Sequence, residues 1–263
     1  MKNLLLLCST VAFMLTSCSN DDNSSKEDTS ILPKTISYTY PSTDLGTNSK
    51  STVTYNGNKI VGSANERSKT IFTYTGNVIA KQEQFDIDSK GTEIKDIEAI
   101  YTYENGKLKT RITRESFNTQ YPNGQYIEKT VYAYASNDLI SYVNYSINPD
   151  TQTETKISEG SLNYKDGNLI KDQFKSGVSV STRVYEYDNK RNPLKNILGF
   201  ELLLNETECS TNNVLKTTRT DSGIPNSSVY LTNYIYNEKD YPLKQTSFTG
   251  DGKSIEYEVE YTY

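Results

Sequence analysis

One motif recurs along this chain: an apolar or aromatic residue, one spacer residue and a tyrosine, which lead into a turn sequence. The clearest copy is YTYENGKL at residues 101–108. The last tyrosines of the successive units are Tyr55, Tyr74, Tyr103, Tyr134, Tyr164, Tyr187, Tyr236 and Tyr263. Most units occupy the roughly 20–30 residues that two strands and two turns need. The repeat therefore predicts a series of β-hairpins.

One unit shows why a hairpin forms. Tyr101 and Tyr103 are two residues apart, so on a strand their side chains share a face. Asn105-Gly106 follows, and this dipeptide favours the type I′ turn, in which both central residues need positive φ. Asp166-Gly167 makes the same prediction in another unit. Each unit is therefore expected to be an amphipathic hairpin with its aromatic side chains on one face.

The return strand of the same unit continues this alternation. Leu108, Thr110 and Ile112 are predicted to share a face, with Lys109 and Arg111 on the opposite one. A strand of this kind has one apolar and one solvated side. The two faces together predict a sheet that is covered on one side only.

The composition favours a curved sheet over a packed sandwich. The chain has 22 Tyr, 7 Phe and no Trp, and hydrophobic residues make up 34%, against about 45–50% in typical domains. Tyrosine has an apolar ring and a polar tip, so it suits a partly wetted concave face. We predict an all-β, up-and-down antiparallel meander curled into a barrel or half-barrel. A transmembrane barrel is less favoured, because the face opposite the tyrosines carries Thr, Ser, Glu and Lys.

The interval from Tyr187 to Tyr236 is the longest, and it predicts a lost or modified unit. It contains NPLKNILGFELLLN at residues 192–205, where apolar residues have helical spacing but Pro193 and Gly199 interrupt it. We expect a loop with one or two helical turns here. Leucines 202–204 are expected to enter the core or to cover a sheet edge.

The repeated units resemble those of a group of Bacteroidota lipoproteins, DUF4595, which has a porin-like β fold and no assigned activity. Residues 185–197 and 212–214 are most similar to that group, and the resemblance extends over most of residues 36–263. The units also resemble YD/RHS repeats, which form β shells. The resemblance implies a fold and a location, and it implies no catalytic residue.

The first 18 residues, MKNLLLLCSTVAFMLTSC, resemble a bacterial lipoprotein signal peptide with its lipobox. The apolar stretch has the length of a signal sequence rather than of a membrane-spanning helix. We predict a signal peptide at residues 1–17, acylation of Cys18, a flexible tether at residues 18–33 and one β domain at residues 34–263. The predicted location is the outer membrane, on the cell surface or the periplasmic face.

Charge and residue usage exclude several kinds of chemistry. The net charge is −5 and no basic cluster is present, so nucleic acid is not expected as a partner. The chain has no histidine, which excludes Ser-His-Asp and Cys-His systems and disfavours zinc. Asp86–Gly91 is similar to the start of a calcium loop but lacks the later ligands, and is expected to be a turn. Cys209 is expected to be a half-buried structural residue. No metal and no cofactor is predicted.

Three functional hypotheses remain open. The first is a non-enzymatic envelope module, held at the membrane by its lipid, that binds a glycan or an envelope protein or is structural. The second is a carrier or chaperone-like lipoprotein that holds an apolar ligand. The third is a carboxylate-based polysaccharide hydrolase, with candidates among Glu98, Glu104, Glu115, Glu128 and Glu186. Candidate ligand-contact residues are Tyr74, Tyr101, Tyr103, Tyr132, Tyr134, Tyr164, Tyr185 and Tyr187.

Overall fold

A computed structural model describes residues 31–207 and 209–263 and contains sixteen β-strands. Their bounds are β1 Thr35–Thr39, β2 Ser49–Asn56, β3 Lys59–Ala64, β4 Ser68–Thr75, β5 Val78–Ile87, β6 Glu93–Glu104, β7 Lys107–Glu115, β8 Tyr126–Tyr134, β9 Leu139–Ile147, β10 Glu154–Lys165, β11 Asn168–Ser176, β12 Ser179–Tyr187, β13 Val214–Asp221, β14 Ser228–Tyr236, β15 Pro242–Phe248 and β16 Ile255–Thr262. Two short 3-10 helices, η1 Pro193–Asn196 and η2 Phe200–Glu206, separate β12 from β13.

The strands form one closed antiparallel barrel. Each strand pairs with its neighbours in the sequence, and β16 pairs with β1 to close the sheet. The predicted all-β meander is confirmed, and it closes completely. Within residues 31–207 and 209–263, no helix has the length and apolarity needed to cross a bilayer.

The tight turns have the predicted geometry. Asn105 and Gly106 have φ of 53° and 74°, and Asp166 and Gly167 have φ of 53° and 75°. Both central residues are therefore left-handed, as a type I′ turn requires. The Asn-Gly and Asp-Gly signals identified these hairpins correctly.

A β-bulge after the turn corrects the predicted alternation on β7. Tyr103 pairs with Leu108, but Thr102 pairs with Thr110, so Lys109 is the extra residue. Beyond the bulge every side chain changes face. Arg111, opposite Tyr101, consequently faces the tyrosine side, and Ile112 faces the other side. Leu108 therefore does not share a face with Thr110 and Ile112, contrary to the prediction.

The tyrosine face lines the lumen, and the opposite face is charged. Glu186 lies between Tyr185 and Tyr187 and forms an ion pair of 2.7 Å with Lys216 on the next strand. Further ion pairs on the outer face join Lys129 to Glu154, Lys175 to Glu159 and Lys244 to Glu258. The barrel therefore has an aromatic inside, and its outer face combines ion pairs with exposed apolar side chains such as Val184 and Ile235, which are 43% and 61% exposed.

The long interval between Tyr187 and Tyr236 is explained by an enlarged turn. β13 pairs directly with β12, with one bulge between Glu186 and Tyr187, and β14 pairs with β13, so the meander continues across this interval. Residues 188–207 and 209–213, here called the plug, fold into one end of the lumen. The expected short helical turns are η1 and η2, and Leu203 is fully buried. We call the end that holds the plug the near end and the opposite end the far end.

The N-terminal end of the described chain is also packed at the near end. Ile31 and Leu32 are 6% and 8% exposed, Pro33 is fully buried, and the Ile31 carbonyl accepts a hydrogen bond from Asn196 of the plug. The last three residues of the predicted tether are thus part of the packed domain, because they are apolar. The predicted signal peptide, Cys18 and the rest of the tether lie outside the described residues.

Candidate functional site

The plug is held by turn chemistry that its sequence supplies. The Asn192 side chain accepts a hydrogen bond of 2.9 Å from the Leu194 amide, and Pro193 begins η1. Gly199 has φ of 84°, and a Cβ on this residue would lie 3.2 Å from the Asn77 carbonyl. Glycine therefore allows the left-handed turn and the close approach to the β4–β5 hairpin.

The plug packs against one side of the lumen. The rings of Phe200 and Phe72 are 5.9 Å apart. Glu206 pairs with Arg111 and accepts a hydrogen bond of 3.2 Å from the Tyr132 hydroxyl. Apolar plug residues and lumen residues of β2–β11 form a single core cluster. The plug thus supplies the interior that the early strands need in order to bury their aromatic face.

The hydroxyls of the repeat tyrosines tie neighbouring hairpins together. Tyr103 donates to the Ile79 carbonyl at 2.8 Å, one hairpin back along the chain. Equivalent bonds run from Tyr55 to Pro33, Tyr134 to Leu108, Tyr187 to Leu169, Tyr234 to Val214 and Tyr263 to Pro242. Tyr74 donates instead to the plug, at the Leu198 carbonyl. A buried tyrosine hydroxyl needs such a partner, so the repeat is explained by barrel construction.

Tyr164 is the exception in this series. Its hydroxyl is buried and makes no hydrogen bond within the described part of the chain. Burial raises the pKa of Tyr164 well above its usual range. An unpaired buried hydroxyl costs about 1–3 kcal/mol, so this residue contributes less to stability than its equivalents.

Beside the plug, the lumen contains a cavity of about 1020 Å³. It extends from the Asn105–Gly106 turn at the near end to Phe248 and Glu256 toward the far end. Its wall carries tyrosines and polar side chains of the later strands, among them Tyr185, Tyr230, Tyr234, Tyr257, Tyr261, Thr217 and Gln245. The plug contributes Leu194, Leu202, Leu204 and Cys209.

Charged side chains also line this cavity. Asp172 on β11 pairs in register with Arg183 on β12, and Arg183 pairs in turn with Arg219 on β13. Asp172 is 7% exposed, and its nearest Arg183 nitrogen is 3.6 Å away. Burial raises the Asp172 pKa, with Arg183 opposing the shift. Arg219 Nε is 2.9 Å from Asp221.

A glycine positions the second partner of Asp172. The Tyr142 hydroxyl donates to Asp172 at 3.4 Å, and the Tyr142 ring lies over Gly160 on the next strand. A Cβ on Gly160 would be 2.3 Å from this ring. The absence of a side chain there lets the tyrosine reach across β10 to the carboxylate.

The predicted ligand-contact tyrosines fall into two groups. Tyr134, Tyr164, Tyr185 and Tyr187 line the cavity. Tyr101 and Tyr132 are 6% and 2% exposed in the core, while Tyr74 and Tyr103 pack against that core with their hydroxyls bonded to carbonyls. Burial raises the pKa of Tyr101 and of Tyr185 to about 12. These hydroxyls are therefore neutral donors at physiological pH.

Sequence reasoning missed the charged lumen residues Asp172, Arg183 and Arg219. Arg183 is two residues before Tyr185, so the alternation could have placed it on the tyrosine face. Asp172 follows the bulge near Tyr164, and Arg219 lies on a strand without a clear tyrosine pair. Their proximity comes from register across three strands, which the sequence does not display.

The remaining candidates do not form a second site. Cys209 is half-buried, its thiol contacts the Leu194 carbonyl at 3.5 Å, and burial raises its pKa to about 12. Glu98 pairs with Lys95 and Arg114, and Glu104 with Lys109. In residues 31–207 and 209–263, no group of three or more His, Cys, Asp or Glu residues could hold a metal ion.

The fold belongs to the class of closed, porin-like barrels. A porin-like protein from Bacteroides vulgatus ATCC 8482 matches with a TM-score of 0.63 and 14% identity, over 89% of this chain and 98% of that one. A porin-like protein from Bacteroides uniformis ATCC 8492 matches with a TM-score of 0.51 and 10% identity, over 88% and 97%. No protein-family model matches this chain, and no curated protein is significantly similar to it. The predicted porin-like fold is confirmed, and membership of DUF4595 stays a prediction.

Proposed function

We propose that this protein is a non-enzymatic, lipid-anchored binding protein of the cell envelope, and that its ligand occupies the lumen. The observation that carries this proposal is the cavity of about 1020 Å³ beside the plug. Sites for small ligands typically have volumes of about 300–1,000 Å³ and combine aromatic walls with a few polar groups. This cavity has both.

The lining favours a glycan over an apolar ligand. Tyrosine rings offer flat apolar faces with little conformational entropy to lose, and sugar rings have apolar faces of their own. Asp172, Arg183 and Arg219 line the same cavity. A lipid tail placed against these charges would desolvate them without pairing them. The carrier hypothesis is therefore less well supported than glycan binding.

The hydrolase hypothesis has less support for a related reason. A glycosidase needs two carboxyl groups about 5–10 Å apart across the scissile bond. The candidates Glu98, Glu104 and Glu186 are engaged in ion pairs with lysine or arginine. These three glutamates are therefore engaged outside the lumen cavity, whose lining they do not share.

The outer face supports attachment through a lipid rather than through the barrel wall. A transmembrane barrel presents an apolar band to lipid, whereas this wall carries lysine–glutamate pairs between strands. In the proposal the wall is in water and Cys18 supplies the anchor. Since Ile31 packs at the near end, a flexible tether with a reach of about 20 Å would hold that end toward the membrane.

Two threonines on β13 provide a test of the lumen site. Thr217 lines the cavity, and the next residue, Thr218, faces outward. Thr217→Trp should place an indole between Tyr185 and Tyr230, obstruct the site and weaken retention of envelope polysaccharide and glycolipid fractions by the immobilised protein. Thr218→Trp should retain them as the wild type does. Equal retention by both variants, or no retention by the wild type, would refute the proposal.

Acylation has a separate test. Cys18→Ala should abolish incorporation of a labelled fatty acid into the protein in cells. Incorporation at the wild-type level would remove the anchor from the proposal and leave the lumen site unaffected.

A further inference from the structure

We infer that Arg183 and Arg219 form an anion subsite in the lumen, which binds a carboxylate or sulfate group carried by a sugar. This inference rests on the proposed function and specifies the class of glycan. It assigns the charged part of the ligand to two neighbouring strands, β12 and β13.

Two like charges face each other across β12 and β13. Arg183 and Arg219 are direct partners across antiparallel strands. Like charges at such positions destabilise a sheet. Both side chains face the cavity and are 46% and 41% exposed. The pair is thus accessible, and an anion between the two guanidinium groups would relieve the part of the repulsion that Asp172 and Asp221 leave uncompensated.

The carboxylate partners of the two arginines contact each guanidinium group only in part. Asp221 contacts Arg219 through Nε, at 2.9 Å to one oxygen and 3.1 Å to the other. Asp172 is 3.6 Å from Nη1 of Arg183, beyond normal hydrogen-bond length. Neither carboxylate forms a two-point contact with the guanidinium fork. An oxyanion with two or three oxygens matches the donors that remain.

Tyrosine rings lie beside the arginine pair on the cavity wall. Tyr185 is two residues from Arg183 on the same face of β12. Tyr230 pairs with Thr217, which is two residues from Arg219 on the same face of β13. Both tyrosines line the cavity. Aromatic rings beside an arginine pair suit a flat, polyhydroxylated ring that carries one acidic group. A free inorganic anion would leave these rings unused.

Two pairs of probes separate charge from the sugar backbone. Oligogalacturonate is compared with its methyl ester, and chondroitin sulfate with unsulfated, carboxyl-reduced chondroitin. Binding to the full acylated chain is measured by calorimetry in a detergent whose headgroup carries no sugar and no charge. The acidic member of at least one pair should bind ten-fold or more tightly than its uncharged counterpart, because charge-assisted hydrogen bonds contribute about 10- to 100-fold.

Arginine variants then locate the site. Arg219→Gln should weaken binding of the acidic probe about ten-fold or more, and Arg183→Gln should do the same. Arg183→Lys serves as a second variant if loss of the partner of Asp172 prevents folding. Arg67→Gln makes the same charge change at an exposed far-end turn and should leave affinity unchanged.

Each contrary outcome has one meaning. Equal affinity for charged and uncharged probes, no binding of either acidic probe, or an equal effect of Arg67→Gln would overturn the anion subsite. Loss of binding in Thr217→Trp but not in Arg219→Gln would overturn the subsite and leave the lumen proposal standing. Undiminished acid binding by Thr217→Trp would overturn both.

Discussion

Strands β2–β10 and strands β12–β14 carry versions of one repeat, yet they face different parts of the lumen. On the first set, the packed wall, Ile79, Leu108 and Leu162 are 0% exposed beneath the plug. On the second set, the open wall, no residue of Ser179–Tyr187, Val214–Asp221 or Ser228–Tyr236 is fully buried. The same hairpin is a core element on one side and a cavity lining on the other.

This difference shows that the plug, more than the repeat, determines which lumen side chains are packed in the core and which line the cavity. The repeat builds a barrel with aromatic side chains inside and ion pairs between strands outside. The plug then covers most of the aromatic face of the packed wall, where Tyr134 and Tyr164 still line the cavity, and leaves that of the open wall accessible. Stability should therefore depend on the packed wall, and ligand binding on the open wall.

Two leucines that follow turns should differ most in how much their replacement lowers the free energy of unfolding. Leu108 occupies the lumen position opposite Tyr103, whereas Pro242 occupies that position opposite Tyr236 and leaves Leu243 41% exposed. Leu108→Ala should lower the free energy of unfolding by about 2–5 kcal/mol, and Leu243→Ala by less than about 0.5 kcal/mol. Urea denaturation measures both. Similar losses would contradict the placement of Leu108 in the lumen core and of Leu243 on the outer face.

The next effect concerns the two-residue turn of the packed wall. Replacing Asn105 and Gly106 with valines forces β-branched residues into left-handed backbone, at a cost of about 1–2 kcal/mol per residue. Asn105→Asp should be tolerated, since Asp166-Gly167 adopts the same conformation in this chain. Thermal unfolding of the two variants tests the assignment, which fails if they melt together.

A smaller effect separates two tyrosines in equivalent places. Tyr103→Phe removes a hydroxyl bonded to the Ile79 carbonyl and should cost about 1 kcal/mol. Tyr164→Phe removes an unpaired buried hydroxyl and should leave stability unchanged or raise it. If Tyr164→Phe destabilises the barrel as much as Tyr103→Phe, the tyrosine bonds do not explain the repeat.

The smallest difference expected is in how stability depends on pH. Two aspartates on the lumen face should affect it with opposite sign. Burial raises the folded-state pKa of Asp172, so its stabilising form is the neutral acid, and stability is lost as pH rises through that pKa. Asp172→Asn should melt above the wild type at neutral pH, and the difference should vanish below the unfolded pKa of about 4.

Asp221 provides the control. A hydrogen bond from Ser181 and the nearby Arg219 lower its pKa, so its contribution is present at neutral pH and lost in acid. Asp221→Asn should therefore melt below the wild type at neutral pH and converge with it in acid. Shifts of the same sign in both variants would contradict this account of the lumen charges.

Local signals predicted the hairpins, the all-β meander and the short helical turns, because turn dipeptides and alternation act over a few residues. The face of Arg111 was mispredicted because a bulge inserts Lys109 into the register. The subsite residues Arg183 and Arg219 were not predicted, since they meet only after β12 and β13 pair around a long insertion. Complete closure depends on β1 pairing with β16, which brings together residues such as Thr35 and Thr262 that are 227 positions apart.

We propose that this barrel holds its aromatic face inside and its ion-paired outer face in water. Sedimentation velocity of a chain beginning at Ser19, expressed without leader or anchor cysteine, tests it most directly. We expect one compact, strand-rich species in buffer without detergent, and no bound detergent belt when micelles are added. Aggregation in buffer that is relieved by a stoichiometric detergent belt would contradict it.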